Sequence, residues 1–516
     1  MPRWFNTAGP CRADHHYMLP ALRRLPEVLP LIGQESYFVL HAPRQVGKTT
    51  ALRALAEELT ASGRYAALHV SCEEGEAAGD DFAEAQRAIL SRIRRSAEIY
   101  LPAELHPPPF PPSPDISLLG TALAAWARVC PRPLVLFFDE IDALRGQSLL
   151  NVLRQLRSGY SDRPTAFPAS VVLCGLRDVR DYKVTTDSRG HLGTSSPFNI
   201  KVESLTLRNF TRDEVEELYQ QHTHDTGQVF LPEAIDRAFY WTQGQPWLVN
   251  ALARQMVEKL VPDRGQALTA AHVDAAKEIL LRRQDTHLDS LAERLREPRV
   301  RRILEPLLAG LALGEVPADD LRFVQDLGLV RLAPAGGLEV ANPLYREVIP
   351  RVLANTAFAS LPPQSITWLR ADGRLDTERL MEAFLAFWRQ HGQPLLGTAP
   401  YHEIAPHLVL MAFLHRVANG GGTLEREYAI GTGRMDLCLR HGPDTLALEL
   451  KVWRDGEKDP LEDGLVQLDG YLAGLGLDSG WLVIFDRRTG QPPIAERTRA
   501  VAATTSTGRR VTVVRA

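Results

Sequence analysis

The chain has 516 residues, enough for roughly three domains that each bury their own core. Its 45% hydrophobic and 24% charged content is that of a soluble globular protein, and no apolar run is long enough to span a bilayer. A formal charge of −4 excludes a globally basic nucleic-acid binder, so any such surface has to be a local patch. Cys11, Cys72, Cys130, Cys174 and Cys438 are scattered without a CxxC pair, which argues against zinc or a disulfide framework. The opening MPRWFNTAGP lacks a signal-peptide core, so a cytoplasmic location is expected.

The residues up to Ile32 read as a Pro- and Gly-rich arm ending in a short helix from Leu22. Tyr37–Leu40 then gives a buried strand, and Gly47-Lys48-Thr49-Thr50 opens a helix that continues with Ala51, Leu52, Leu55 and Leu59 at helical spacing. Strand, tight loop and helix form the context in which a GKT sequence cradles phosphate. Gly47 lets backbone N–H groups approach the oxygens, Lys48 reaches the β- and γ-phosphates, and Thr49 ligates Mg²⁺. The loop starts with Ala42 where the consensus has Gly, and Pro43, Arg44, Gln45 and Val46 complete it. APRQVGKTT resembles the P-loop of AAA-like and STAND-type (signal-transduction) ATPases. The resemblance implies ATP with Mg²⁺, and in AAA-like proteins such an arm lines the base, a place here for His16 or Tyr17.

Tyr65–Val70 reads as the second strand, Phe82–Ile99 as an amphipathic helix, and His106–Pro114 as a stiff surface loop. Pro133–Phe138 is a continuous apolar strand ending in Asp139-Glu140, which is how a parallel sheet delivers carboxylates to a phosphate site. By resemblance to Walker B, Asp139 holds Mg²⁺ and Glu140 polarises the attacking water. Ser170–Cys174 is a further strand, and Arg177 beyond it fits the STAND position that contacts the γ-phosphate, or else pairs with Asp178 or Asp181. No NKxD sequence is present, so ATP is favoured over GTP.

Thr211 with Glu214 three residues on is a capping box that opens a helical region over 206–295. Within it, Gly244-Gln245-Pro246 resembles the lid of STAND ATPases, where the proline packs on the base; a plain helix break reads the same residues without a nucleotide. Helices at Val300–Leu313 and Asp319–Leu327, then strands at 329–332 and 338–340 around Gly336-Gly337, resemble a winged helix over 296–357. Its second helix is acidic, which favours packing over DNA reading.

Residues 358–400 form a linker and an amphipathic docking helix, Asp376–His391. In 401–516 a helix from Glu403 to Val417, a strand at Leu424–Ala429, GRMD at 433–436 and TLALELKV at 445–452 follow in order. The period of two sets Glu449 and Lys451 on one face. The order resembles the PD-(D/E)XK nuclease superfamily over roughly the last hundred residues, with Met435 in place of the motif's proline. Carried over, Asp436, Glu449 and Lys451 are the catalytic trio, and Mg²⁺ is held by Asp436 and Glu449. Glu403 matches the acidic residue of the first helix, and Gln467 with Tyr471 matches the following helix. Trp481–Asp486 is expected to complete the mixed sheet, and Arg434, Lys451, Arg454, Lys458, Arg487, Arg488, Arg509 and Arg510 are candidates for phosphate contact.

The whole is therefore read as an α/β P-loop NTPase core over 1–205 with a helical lid, a winged-helix-like region and an α/β restriction-endonuclease-like domain. The expected function is an ATP-driven switch on a Mg²⁺-dependent nuclease, with DNA ahead of RNA as partner and a homo-oligomer as an open alternative. The other reading is a signalling or scaffold ATPase whose last domain binds nucleic acid or a protein without cutting.

Overall fold

A computed structural model describes residues 3–176, 203–283, 294–308, 313–333, 336–349, 368–398, 405–419, 422–430 and 433–516. The chain divides into two compact units, Met1–Leu280 with Pro317–Gly337, and Leu281–Val316 with Leu338–Ala516. Residues expected in a winged helix therefore divide between the units, with strand β6 (Val330–Leu332) in the first and β7 (Leu338–Val340) in the second.

The first unit is built on five parallel strands: β1 (Tyr37–His41), β2 (Ala66–Ser71), β3 (Leu134–Asp139), β4 (Ser170–Gly175) and β5 (Ser204–Thr206). Their order is β2-β3-β4-β1-β5. β3 and β4 are buried along their whole length, as continuous apolar runs in a parallel sheet require. Helices cover both faces, and two apolar clusters fill the layers. One holds Trp126, Phe138 and Leu156; the other gathers Phe38, Leu52 and Phe137 around the helix Lys48–Ala61. β1 and β3 are neighbours of β4, so the chain ends that follow β1 and β3 open on the same edge of the sheet.

The short helix expected from Leu22 to Ile32 is a 3-10 turn, Ala21–Arg24, followed by the helix Val28–Gly33, because Pro26 interrupts the run. Beyond the sheet, helices Arg212–Thr226, Pro232–Thr242 and Pro246–Gln255 pack together. Thr211 Oγ1 accepts from Glu214 N while Glu214 Oε2 accepts from Thr211 N, so the capping box forms as expected.

The second unit carries a six-stranded mixed sheet in the order β12-β13-β11-β10-β9-β8. β8 (Gly422–Ile430), β9 (Gly433–His441) and β10 (Asp444–Trp453) are antiparallel neighbours, and β11 (Ser479–Asp486) lies parallel to β10. The sheet does not end at β11, contrary to the expectation from the sequence. β13 (Arg510–Arg515) pairs parallel to β11, and β12 (Arg499–Thr504) closes the edge. RAVAAT is almost wholly exposed, which is why no alternation marks it. The helix Leu461–Leu475 covers one face through Leu468 and Leu472.

Candidate functional sites

The phosphate loop of the first unit joins β1 to the helix Lys48–Ala61. Gly47 has φ +93°, a left-handed turn that glycine adopts without steric cost, and Gln45 also has positive φ. Lys48 Nζ donates to the carbonyls of Ala42 (2.8 Å) and Pro43 (2.9 Å), so the ammonium lies across the mouth of the loop. Thr49 Oγ1 donates to Asp139 Oδ2 at 2.6 Å. The hydroxyl at the start of the helix and the carboxylate at the end of β3 thus meet as the two motifs predict.

Asp139 is 1% exposed. Burial pushes its carboxyl up, but hydrogen bonds from His69, Thr49 and Cys174 outweigh that and hold it below the usual carboxylate range. His69 Nε2 lies 3.0 Å from Asp139 Oδ2, a contact that sequence reasoning missed. The signal was present, because YAALHV places a polar ring inside an apolar strand neighbouring the acidic one. Glu140 has φ +55° and its Oε2 accepts from Ser71 Oγ at 2.8 Å. Partial burial and the neighbouring Asp139 raise its carboxyl above the ordinary value. An ionised, buried aspartate beside a threonine hydroxyl is a hard-oxygen donor set suited to Mg²⁺, with a more basic carboxylate next to it.

The remaining loop residues bind protein around them. Thr50 Oγ1 accepts from Cys11 N at 3.0 Å, which ties the arm to the phosphate-loop helix. Arg24, 8% exposed, donates through Nη2 to Val46 O at 3.0 Å and through Nε to Arg208 O at 3.0 Å, and its guanidinium lies 4.8 Å from the centre of the Phe210 ring. Burial lowers its pKa to about 10. Arg44 is exposed. Gln45 O accepts from Gln245 Nε2 at 3.4 Å.

Gly244 has φ +70°, its carbonyl accepts from Phe210 N at 2.9 Å, and Pro246 starts the next helix, buried. On the other flank, Pro43 meets Gly328, where an added Cβ would lie 2.7 Å from Pro43 Cγ. Arg331 Nη1 donates to Gln243 Oε1 at 2.6 Å. Tyr17 is enclosed by Phe5 and His222 and its hydroxyl lies 3.2 Å from His222 Nδ1, so it is part of an aromatic core and not the free base-lining ring the arm resemblance implied.

In the second unit Glu449, 3% exposed, and Lys451 project from one face of β10 with Glu449 Oε1 to Lys451 Nζ at 2.8 Å. Lys451 Nζ also donates to Gln467 Oε1 of the covering helix at 2.5 Å. Leu437 of β9 pairs with Leu448 of β10, the last described pair of that antiparallel register and one residue short of Asp436 and Glu449. The Asp436 side chain, Arg177 and Glu403 lie outside the described residues. Among the described residues no three His, Cys, Asp or Glu side chains form a ready metal cluster. Of the basic candidates, Arg488 is held by Asp486, Arg509 by Asp469 and Lys458 by Glu462. No helix among the described residues is long and apolar enough to cross a membrane.

Residues 32–182 match a family model described as the AAA domain. Among solved structures, the chain is similar to the Walker-type ATPase PABY2304 of Pyrococcus abyssi (15% identity, 66% of this chain and 98% of that one, TM-score 0.47). It is also similar to a Thermotoga maritima RuvB variant (18% identity, 62% of this chain and 90% of that one, TM-score 0.35). A third is Orc1 of Aeropyrum pernix in complex with DNA (16% identity, 67% of this chain and 94% of that one, TM-score 0.33). No curated protein matches the chain. With the Lys48, Thr49 and Asp139 geometry in place, the match means that the chain carries an AAA-type P-loop ATPase domain over residues 32–182.

Proposed function

We propose that the chain is an ATP-driven switch coupled to a Mg²⁺-dependent nuclease acting on DNA. In the first unit the loop backbone and Lys48 bind the phosphates of ATP. Thr49 and Asp139 would hold Mg²⁺, which would supply positive charge beside the transferred phosphoryl group, and Glu140 takes the proton of the attacking water. The Gly244-Gln245-Pro246 turn and Arg177 are assigned to the base and the γ-phosphate, as in a STAND-type lid.

The observation that carries the nuclease half is the cluster of Glu449 and Lys451 on β10 with Gln467 of the covering helix, supported by a β9–β10 register that runs up to Leu437 and Leu448, the residues next to Asp436 and Glu449. Continued by one residue, that register would set Asp436 and Glu449 on one face of the sheet, where two carboxylates would make an oxygen donor pair that fits Mg²⁺. The ion would polarise the scissile phosphate and make its bound water more acidic. Glu449 anchors the Lys451 ammonium, Gln467 fixes its direction, and Lys451 orients the attacking water.

The test is cleavage of supercoiled plasmid in Mg²⁺, with and without ATP, by the wild-type chain, Lys48→Ala and Glu449→Gln. Cutting should require Glu449 and should change with ATP in the wild type but not in Lys48→Ala. Intact DNA binding without cutting under any nucleotide or divalent ion would replace this reading with the scaffold ATPase.

A further inference from the structure

A cleft of about 350 Å³ opens in the second unit between Gln393 and Leu396 on one side and Asp486, Arg487, Arg488, Ile494 and Arg497 on the other. That volume is at the lower end for small-ligand clefts, about 300–1,000 Å³. Three guanidinium groups and one carboxylate line it. Asp486 is fully used by Arg488, with Oδ1 accepting from Nε at 2.9 Å and Oδ2 from Nη2 at 2.7 Å. The Arg488 guanidinium lies flat against Trp453, 3.4 Å from the ring centre, so it is fixed in place.

Arg487 makes no side-chain hydrogen bond or ion pair among the described residues, and Arg497 Nε is buried with no hydrogen-bond partner among them. A buried donor left without an acceptor is costly unless something supplies one. Burial, with Arg487 and Arg488 nearby, also makes the Arg497 charge harder to hold. An anion bound in the cleft would satisfy the donor and offset the crowding.

The cleft's position gives the anion a use. Asp486 pairs with Trp453 in the parallel register, two residues beyond Lys451 on the same face of β10. The cleft therefore lies at the end of the same sheet that carries Glu449 and Lys451. We propose that Arg487, Arg497 and Gln393 form a phosphate subsite that grips a backbone phosphodiester of the nucleic acid. This rests on the nuclease reading for the ligand's identity, while the anion site itself does not.

The test uses the full chain in EDTA, so that nothing is cut, and reads the anisotropy of a fluorescent DNA duplex across a salt series. Arg487→Gln and Arg497→Gln should each weaken binding and lower the slope of log affinity against log salt by about one unit. Arg497→Lys should keep the slope. Inorganic phosphate should compete in the wild type and lose that effect in Arg487→Gln, whose exposed side chain is not needed for folding. Unchanged slopes in both Gln variants would overturn the proposal, as would competition by phosphate with no change in DNA binding, which would mark a site for free phosphate. If the slopes fall as expected but Mg²⁺ gives no cleavage, the subsite stands and the nuclease reading fails.

Discussion

Gly244→Ala is expected to destabilise the turn before the helix Pro246–Gln255 far more than its single methyl group implies. Two costs add. A left-handed backbone costs an L-residue roughly 1–2 kcal/mol, and Gly244 has φ +70°. An added Cβ would also lie 1.8 Å from Phe210 O and 2.8 Å from Phe210 C, so the segment must retreat. That overpacking costs about 1–3 kcal/mol, and losing the Phe210 N–H bond to Gly244 O about 1 kcal/mol more.

Gly227 supplies the control, because it has φ +78° and nothing lies within 4 Å of the place a methyl group would occupy. Gly227→Ala should cost only the backbone strain, about 1–2 kcal/mol. The difference of about 2–4 kcal/mol corresponds to roughly 5–15 °C in the melting midpoint of a unit this size. Thermal unfolding followed by tryptophan fluorescence reads it, since Trp241 and Trp247 flank the turn. Equal midpoints for the two variants would refute the reasoning that the Phe210 contact holds the Gly244 turn in place.

Lys48→Ala should abolish ATP binding, whereas Glu140→Gln should retain binding and lower turnover by about 10²–10⁴-fold, measured by phosphate release and nucleotide titration. His69→Ala removes a buried bond to the Asp139 carboxylate, for which about 1.5–3 kcal/mol is at stake; the Mg²⁺ concentration needed for half-maximal hydrolysis should rise about tenfold or more, and an unchanged Mg²⁺ curve would leave His69 a packing residue. Burial raises the Glu214 carboxyl, but Arg208 and the Thr211 N–H bring it below its ordinary value. Its contribution to stability is therefore present above the unfolded pKa of about 4.3 and is lost as pH falls through the lower folded value, so the gap between wild type and Glu214→Gln should be constant at neutral pH and close in acid.

The features legible in the sequence are those written in local periodicity. GKTT after an apolar strand, Asp139 at the end of another, the Thr211 and Glu214 pair, and Glu449 two residues from Lys451 each depend on neighbours along the chain. What escaped depends on distant segments meeting. Nothing local announces that Arg24 spans Val46 and Arg208, that Gly328 abuts Pro43, or that Tyr17 joins an aromatic core with His222. His69 belongs between these cases, because a lone polar residue inside a buried strand is a local oddity whose partner only the sheet order reveals. β12 was missed for a different reason: as an exposed edge strand it buries too little to impose a pattern.

Each unit should hold its own divalent ion, one with ATP and one at the β10 cluster. Mn²⁺ binding followed by electron paramagnetic resonance, with a slowly hydrolysed ATP analogue present, counts these ions directly. A pair of ions per chain is expected, of which Lys48→Ala loses the nucleotide-dependent one and Glu449→Gln loses the other. Retention of both ions in Glu449→Gln, or a wild-type chain that binds Mn²⁺ only with the nucleotide, would contradict the assignment of a second metal centre.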